Sequence, residues 1–171
     1  MGAGTFLLKP VQPFRLDLTV WTLRRRPDNG VDRWDGQTYR RVLPLAGGPV
    51  EVEITQIAPP ESPQLRVAVA GRPLRSEVRA GVTSALDRLL GLRIDLTEFY
   101  QVASNDRLLG PLVARFRGMR PPRFATVFEA VINAIACQQV SLTVGICLLN
   151  RLTQAHGARF GAKEKRAHAF P

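Results

Sequence analysis

Cysteine, methionine, histidine and tryptophan each occur only twice in this chain of 171 residues. Two cysteines, Cys137 and Cys147, are too few for a disulfide scaffold, and their spacing along one helix turns them to different faces. The simple reading is a reducing cytoplasm. So few histidines and cysteines, with scattered acids, leave no cluster spaced to hold a metal, which argues against a metalloenzyme. No apolar run approaches the roughly 20 residues that a membrane-spanning helix requires. Residues 1–9 offer only the patch Phe6-Leu7-Leu8, with no basic stretch before it, which does not read as a signal peptide. A Walker loop, a dinucleotide fingerprint and a G-x-S-x-G nucleophile elbow are all missing. Leu45-Ala46-Gly47-Gly48 superficially resembles a phosphate-binding turn between helices, but strand-like segments flank it.

Acidic residues are also scarce. Lys and Arg number 24 against 14 Asp and Glu, for a net charge of +10. The excess is uneven: residues 1–110 hold 15 basic and 12 acidic side chains, residues 111–171 hold 9 and 2. A surplus on the second part suggests an anionic partner, nucleic acid foremost. The dominance of Arg over Lys also fits codon bias and a solvated positive surface. With 45% apolar residues the chain is no disordered tail, and its length allows about 70% of the unfolded surface to be buried.

The first half alternates. Residues 14–21 place Phe14, Leu16, Leu18 and Val20 at every second position, which predicts a strand. Further strands are expected over residues 38–45, 50–57 and 65–70. Ala46-Gly47-Gly48-Pro49 is a tight turn that makes a hairpin of the middle pair. From Arg75 the period changes: Val78, Val82, Leu86, Leu89 and Leu90 recur at helical spacing until Gly91 stops the helix. Asp95 or Thr97 can cap a short helix through Phe99 and Tyr100, and residues 106–116 look helical. After the proline-stiffened residues 117–124, Thr126-Val127-Phe128-Glu129 has capping-box spacing, and Ser141 can cap a last helix that Gly157 stops. These two helices have apolar faces without obvious partners. Strands followed by helices give an α+β fold. The expected form is an N-terminal antiparallel sheet of about four or five strands with packed helices, then the first helices of an incomplete all-helical domain. The division falls at residues 1–111 and 112–171.

Few polar residues stand out as candidates for binding. Gln138-Gln139-Val140-Ser141 puts two amides and a hydroxyl at the junction of two apolar helices. They suit a polar cap at a helix boundary and equally suit hydrogen bonding to a base or a backbone. Arg120 and Arg123 flank Pro121-Pro122, so a stiff backbone could present both guanidinium groups to phosphates, although a solvated linker has the same composition. Arg24-Arg25-Arg26 ahead of Pro27-Asp28-Asn29-Gly30 reads as a solvated loop, and Trp34 as core or loop packing. Glu51 and Glu53 share one face of a strand and read as solvated charge.

The stretches Pro27-Asp28-Asn29 with Val31-Asp32-Arg33-Trp34-Asp35-Gly36, Leu90-Gly91-Leu92 with Asp95-Leu96 and Phe99-Tyr100, and Gly118-Met119-Arg120-Pro121-Pro122-Arg123-Phe124 through Phe128-Glu129-Ala130 to Cys137-Gln138-Gln139-Val140-Ser141-Leu142 follow one another over residues 14–157. In this order they resemble the 3-methyladenine DNA glycosylase II branch of the helix-hairpin-helix superfamily. The resemblance implies an enzyme of base-excision repair that extrudes an alkylated purine from double-stranded DNA and hydrolyses its N-glycosidic bond. Such an enzyme uses an aromatic pocket and an aspartate near the sugar, with no metal or organic cofactor. It also implies a monomer in the cytoplasm that binds DNA, not a membrane. Gln139 falls where the family's side chain enters the gap left by the flipped base. Where relatives are apolar there, Gln139 is polar and suits hydrogen bonding to the orphaned base; Gln138 would support that helix end.

The family's Gly-rich hairpin and catalytic aspartate follow the matched region, whereas the last Asp here is Asp106 and the later acids are Glu129 and Glu164. Neither glutamate occupies the motif's catalytic place, so no catalytic residue is expected in this chain. The expectation is an N-terminal part of a longer enzyme, inactive alone, with the hairpin and aspartate encoded beyond Pro171. The alternatives are a non-enzymatic DNA- or protein-binding module of the same descent, and a degenerate product that does not fold stably.

Overall fold

The computed structural model describes residues 4–161 and 167–171. Five strands, β1 (Gly4–Leu8), β2 (Arg33–Trp34), β3 (Thr38–Leu45), β4 (Gly48–Gln56) and β5 (Leu65–Ala70), form one sheet in the order β1-β5-β4-β3-β2. Every neighbouring pair is antiparallel. The register puts Phe6, Val67, Ile54 and Tyr39 in one row across the sheet. Since side chains alternate between faces, that row and the parallel row through Val69 and Val52 make one apolar surface.

Helices α1 (Leu16–Arg24) and α2 (Ser76–Leu90) cover that surface with Leu16, Val20 and Leu23 from the first and Val78, Val82, Leu86 and Leu89 from the second. Gly91 ends α2 in the left-handed region at φ 61°, where its N–H bonds the Asp87 carbonyl. Short helices α3 (Thr97–Ala103) and α4 (Leu109–Arg115) follow. Asp95 Oδ1 accepts from the Thr97 N–H, and Asp106 Oδ1 accepts from the N–H groups of Leu108 and Leu109. The Asp95 acceptor precedes α3 as the sequence suggests, whereas α4 begins at Leu109, later than the expected residue 106. Helices α5 (Val127–Ala136) and α6 (Leu142–His156) then pack on each other, and an antiparallel pair of two-residue strands, β6 (Arg159–Phe160) and β7 (Ala167–His168), lies against the sheet. There Ala167 and Ala169 bury Val42, which faces away from the main core.

The α+β class and the antiparallel sheet stand as expected, with corrections. Residues 14–21 are not a strand: Leu16, Val20 and Leu23 are the buried positions, at helical spacing, while Trp21 is exposed. Thr19 is buried too, because its hydroxyl donates to the Arg15 carbonyl and accepts from the Arg120 N–H. The fifth strand comes instead from β1, the Phe6-Leu7-Leu8 patch, which reaches the sheet by pairing with β5. Neither β2 nor the β6–β7 pair had a sequence signal, since each strand is two residues long.

The turn from β2 to β3 predicts a pH response. Asp35 accepts from the N–H groups of Thr38 and Gln37 and from Arg40, which together lower its pKa from 3.8 to about 2. A depressed carboxyl stabilises the turn fully above its unfolded value of 3.8, and the contribution disappears as pH falls toward 2. An NMR titration of the Asp35 carboxyl should give a midpoint near 2. A midpoint at the unfolded value would mean that the turn bonds do not persist in solution.

Candidate nucleic-acid interface

The first turn of α5 is built as the sequence suggests, with one difference. Thr126 Oγ1 accepts from the Glu129 N–H at 3.0 Å, but the Glu129 carboxylate reaches back to the Ala125 N–H at 3.3 Å rather than to the cap residue. Its other oxygen accepts from Arg41 Nη2 at 2.6 Å. Arg41 stands on the apolar face of β3, beside Val52, where an unpaired cation would be very costly. Its Nη1 donates to Asp32 Oδ1 at 2.7 Å, and the Tyr39 hydroxyl donates to the same oxygen. Asp32, Tyr39, Arg41 and Glu129 are all buried. Burial, reinforced by Asp32, pushes the Tyr39 phenol well above its usual range. For Arg41 burial acts in the opposite sense, and Asp32, Tyr39 and Glu129 outweigh it, leaving the guanidinium more basic than usual. This network therefore ties α5 to the sheet through fixed charges.

Three further contacts hold the same helix pair. Arg25, in the supposed solvated loop, turns inward instead and donates from Nη2 to Asn133 Oδ1 and from Nη1 to Cys137 Sγ at 3.5 Å, both near the C-terminal end of α5. Asn150 of α6 accepts from the Gly30 N–H and donates to the Asp28 carbonyl, each at 2.8 Å. Helices α5 and α6 approach closely at Gly145, where a Cβ would lie 2.7 Å from Cys137 Sγ and 3.0 Å from the Ala136 carbonyl oxygen.

The turn between these helices is thereby fixed. The Gln138 N–H bonds the Ile135 carbonyl, Gln139 enters the left-handed region at φ 57°, and Ser141 Oγ accepts from the Val144 N–H to start α6. Gln138, Gln139, Val140 and Ser141 are all exposed. The structure thus brings three candidate residues, Gln138, Gln139 and Ser141, into one protruding turn, with Ser141 also serving as the cap. Arg123 is exposed in the segment that leads to α5.

Arg120 does not join them. Its side chain is fully buried, with Nη2 donating to the Val11 carbonyl at 2.6 Å, Nε to Gly91 at 3.3 Å, and the guanidinium 5.6 Å over the Phe14 ring. Burial lowers its pKa. The stiff prolines do separate the two arginines, but one faces the core and only the other faces solvent.

Beside the turn runs an apolar stripe: Val127, Phe128, Val131 and Ile135 of α5, with Val144 and Leu148 of α6, are all exposed. A stripe of this kind marks an interaction surface more than a solvated face. Among the described residues after Asp106, Glu129 is the one acid, and Arg41 occupies it.

The AlkA N-terminal domain family matches residues 5–126, more than two thirds of the chain. This chain belongs to that family. The AlkA N-terminal match ends where α5 begins, so the protruding turn lies beyond it. A DNA-3-methyladenine glycosylase of Bacillus subtilis (strain 168) is 28% identical over 100 residues, which cover 58% of this chain and 33% of that protein. The 3-methyladenine DNA glycosylase of Archaeoglobus fulgidus superposes with a TM-score of 0.78 at 24% identity, covering 97% of this chain and 56% of that one. An 8-oxoguanine glycosylase/lyase of Clostridium acetobutylicum gives a TM-score of 0.68 at 18% identity, covering 99% and 54%. The structural likenesses carry the fold beyond the family match, through α5 and α6. The chain spans between about a third and somewhat over half the length of these relatives.

Proposed function

We propose that this AlkA-type chain supplies the N-terminal α+β domain, residues 1–111, and the opening helices, from residue 112, of a DNA base-excision repair glycosylase. Its substrate is double-stranded DNA carrying alkylated purines, whose N-glycosidic bond the complete enzyme hydrolyses, as a monomer in the cytoplasm. The observation that carries this reading is the exposed Gln138-Gln139 turn, presented by a helix that buried charge pins to the sheet. An amide side chain at the tip can donate and accept at once, which suits an orphaned base more than a phosphate does. Ser141 and Arg123 would bond the phosphate backbone on either side. The apolar stripe of α5 and α6 would seat the remaining helices of the enzyme. With Glu129 held by Arg41, the hydrolytic carboxylate is assigned to none of the described residues after Asp106.

A substitution at Gln139 separates recognition from folding. Glycine removes the amide and also relieves a left-handed backbone that favours glycine, so Gln139→Gly should melt no lower than the parent. Its affinity for duplex DNA containing an abasic gap should fall by roughly 1 kcal/mol or more, the worth of a hydrogen bond to the unpaired base. The parent chain should bind methylated duplex DNA with strong salt dependence and release no base. Release of alkylated purine by the purified chain, or unchanged binding of Gln139→Gly, would refute the proposed role.

A further inference from the structure

Both tryptophans of the chain wall a single cleft on the α1 side of the molecule. The cleft holds about 390 Å3 and is lined by Trp21, Trp34, Arg24, Arg25, Arg26 and Pro27 among others, within the ~300–1,000 Å3 range of small-molecule sites. Trp21 is 61% exposed, an unusual state for the largest apolar side chain. It is not loose, because its ring stacks on Phe116 with centroids 6.3 Å apart and planes within 8°. Trp34 is half-buried against the main core. The cleft therefore has one rigid, solvent-facing indole and one firmly seated one.

The polar lining is of one kind. Arg25 is spent on Asn133 and Cys137, but Arg24 has a single bond, from Nη2 to the Pro27 carbonyl, and Arg26 only a 3.6 Å pair with Asp28. The Arg26 pair runs through its Nε, and the buried Nε of Arg24 has no partner among the described residues. The acid in the lining, Asp17, is already paired with Arg15 at 2.6 Å. Flat π surface beside donor-rich, under-used guanidinium groups matches one chemical class, an aromatic ring that carries an anionic oxygen cluster.

We propose that this cleft binds a nucleotide, with the base against Trp21 and the phosphate on Arg24 and Arg26. The inference goes beyond the Gln139 turn and does not depend on it. The same chemistry has two sources, a free mononucleotide and an unpaired nucleotide within a DNA strand, and one titration distinguishes them. Both tryptophans report on the cleft, so the fluorescence of the full chain is followed while dAMP, and separately a short single-stranded oligo(dT), is added. Saturable quenching that weakens with salt is expected. Quenching by both ligands identifies the free nucleotide as sufficient; quenching by oligo(dT) alone identifies the strand. Trp21→Leu, at an exposed position, should bind about tenfold more weakly with Trp34 still reporting, Trp21→Phe should bind nearly as the parent does, and Arg24→Gln should bind several-fold more weakly. The proposal is overturned if neither ligand quenches saturably, or if Trp21→Leu and Arg24→Gln bind as the parent does. The latter result would reduce Trp21 to a clip between α1 and Phe116.

Discussion

Replacing Arg41 by leucine should destabilise the protein by about 3–5 kcal/mol, because it strips the shared cation from two buried carboxylates and leaves uncompensated charge in the core. Asp32 and Glu129 would face one another across the space, and α5 would lose its tie to β3. Urea unfolding followed by circular dichroism measures the loss. The full network need not be stabilising to produce this result, since breaking a buried ion cluster differs from replacing it. A triple variant, Arg41→Met with Asp32→Asn and Glu129→Gln, should recover most of the stability. A single leucine variant as stable as the parent would show that water reaches the network and that the four groups are not buried together in solution.

The second large effect separates the two arginines that flank Pro121-Pro122. Arg120→Met should cost about 2–3 kcal/mol, from the loss of the Val11 acceptor's partner and of the cation over Phe14. The cost is held down because Nη1 of Arg120 has no partner to lose. Arg123→Met should leave the melting temperature unchanged, weaken duplex DNA binding and reduce its salt slope by about one. Equal effects of the two substitutions on both measurements would contradict the opposed orientations of the side chains.

Most of the α+β order was legible because long elements repeat their period often enough to identify themselves. The fifteen residues of α2, Ser76–Leu90, show the helical spacing four times over before a glycine that only a left-handed cap explains. The hairpin of β3 and β4 follows from alternation on both sides of a Gly-Gly turn. Residues 14–21 misled because Leu16 and Val20 satisfy both periods, and the deciding residue, Leu23, lies just outside that window. The helix wins because Leu16, Val20 and Leu23 fill the space over the sheet, whereas a strand there would have buried Leu18 in place of Leu23. The candidate interface was partly legible for a different reason. Caps are local, so Thr126 and Ser141 could be read from spacing, whereas the partner of Glu129 lies 88 residues away on a strand. No local pattern announces that an arginine faces inward, whether it stands in a strand, as Arg41 does, or beside two prolines, as Arg120 does. Likewise, nothing in Arg24-Arg25-Arg26 marked the middle residue as the one that turns to α5.

The C-terminal segment has a mechanical consequence. Phe170 fills the space among Val31, Ile146 and Leu149 and meets the Phe128 ring edge-on at 6.2 Å, while the Ala169 N–H bonds the Ala158 carbonyl. The helix pair is thus bolted to the rest of the molecule at two places, by the Glu129–Arg41 pair on the first turn of α5 and by an aromatic plug against Phe128 and α6. A bracket fastened at two points cannot swivel about either. For a protein that acts on DNA in the proposed way, the glutamine tip then behaves as a die of constant shape, and the duplex must do the bending.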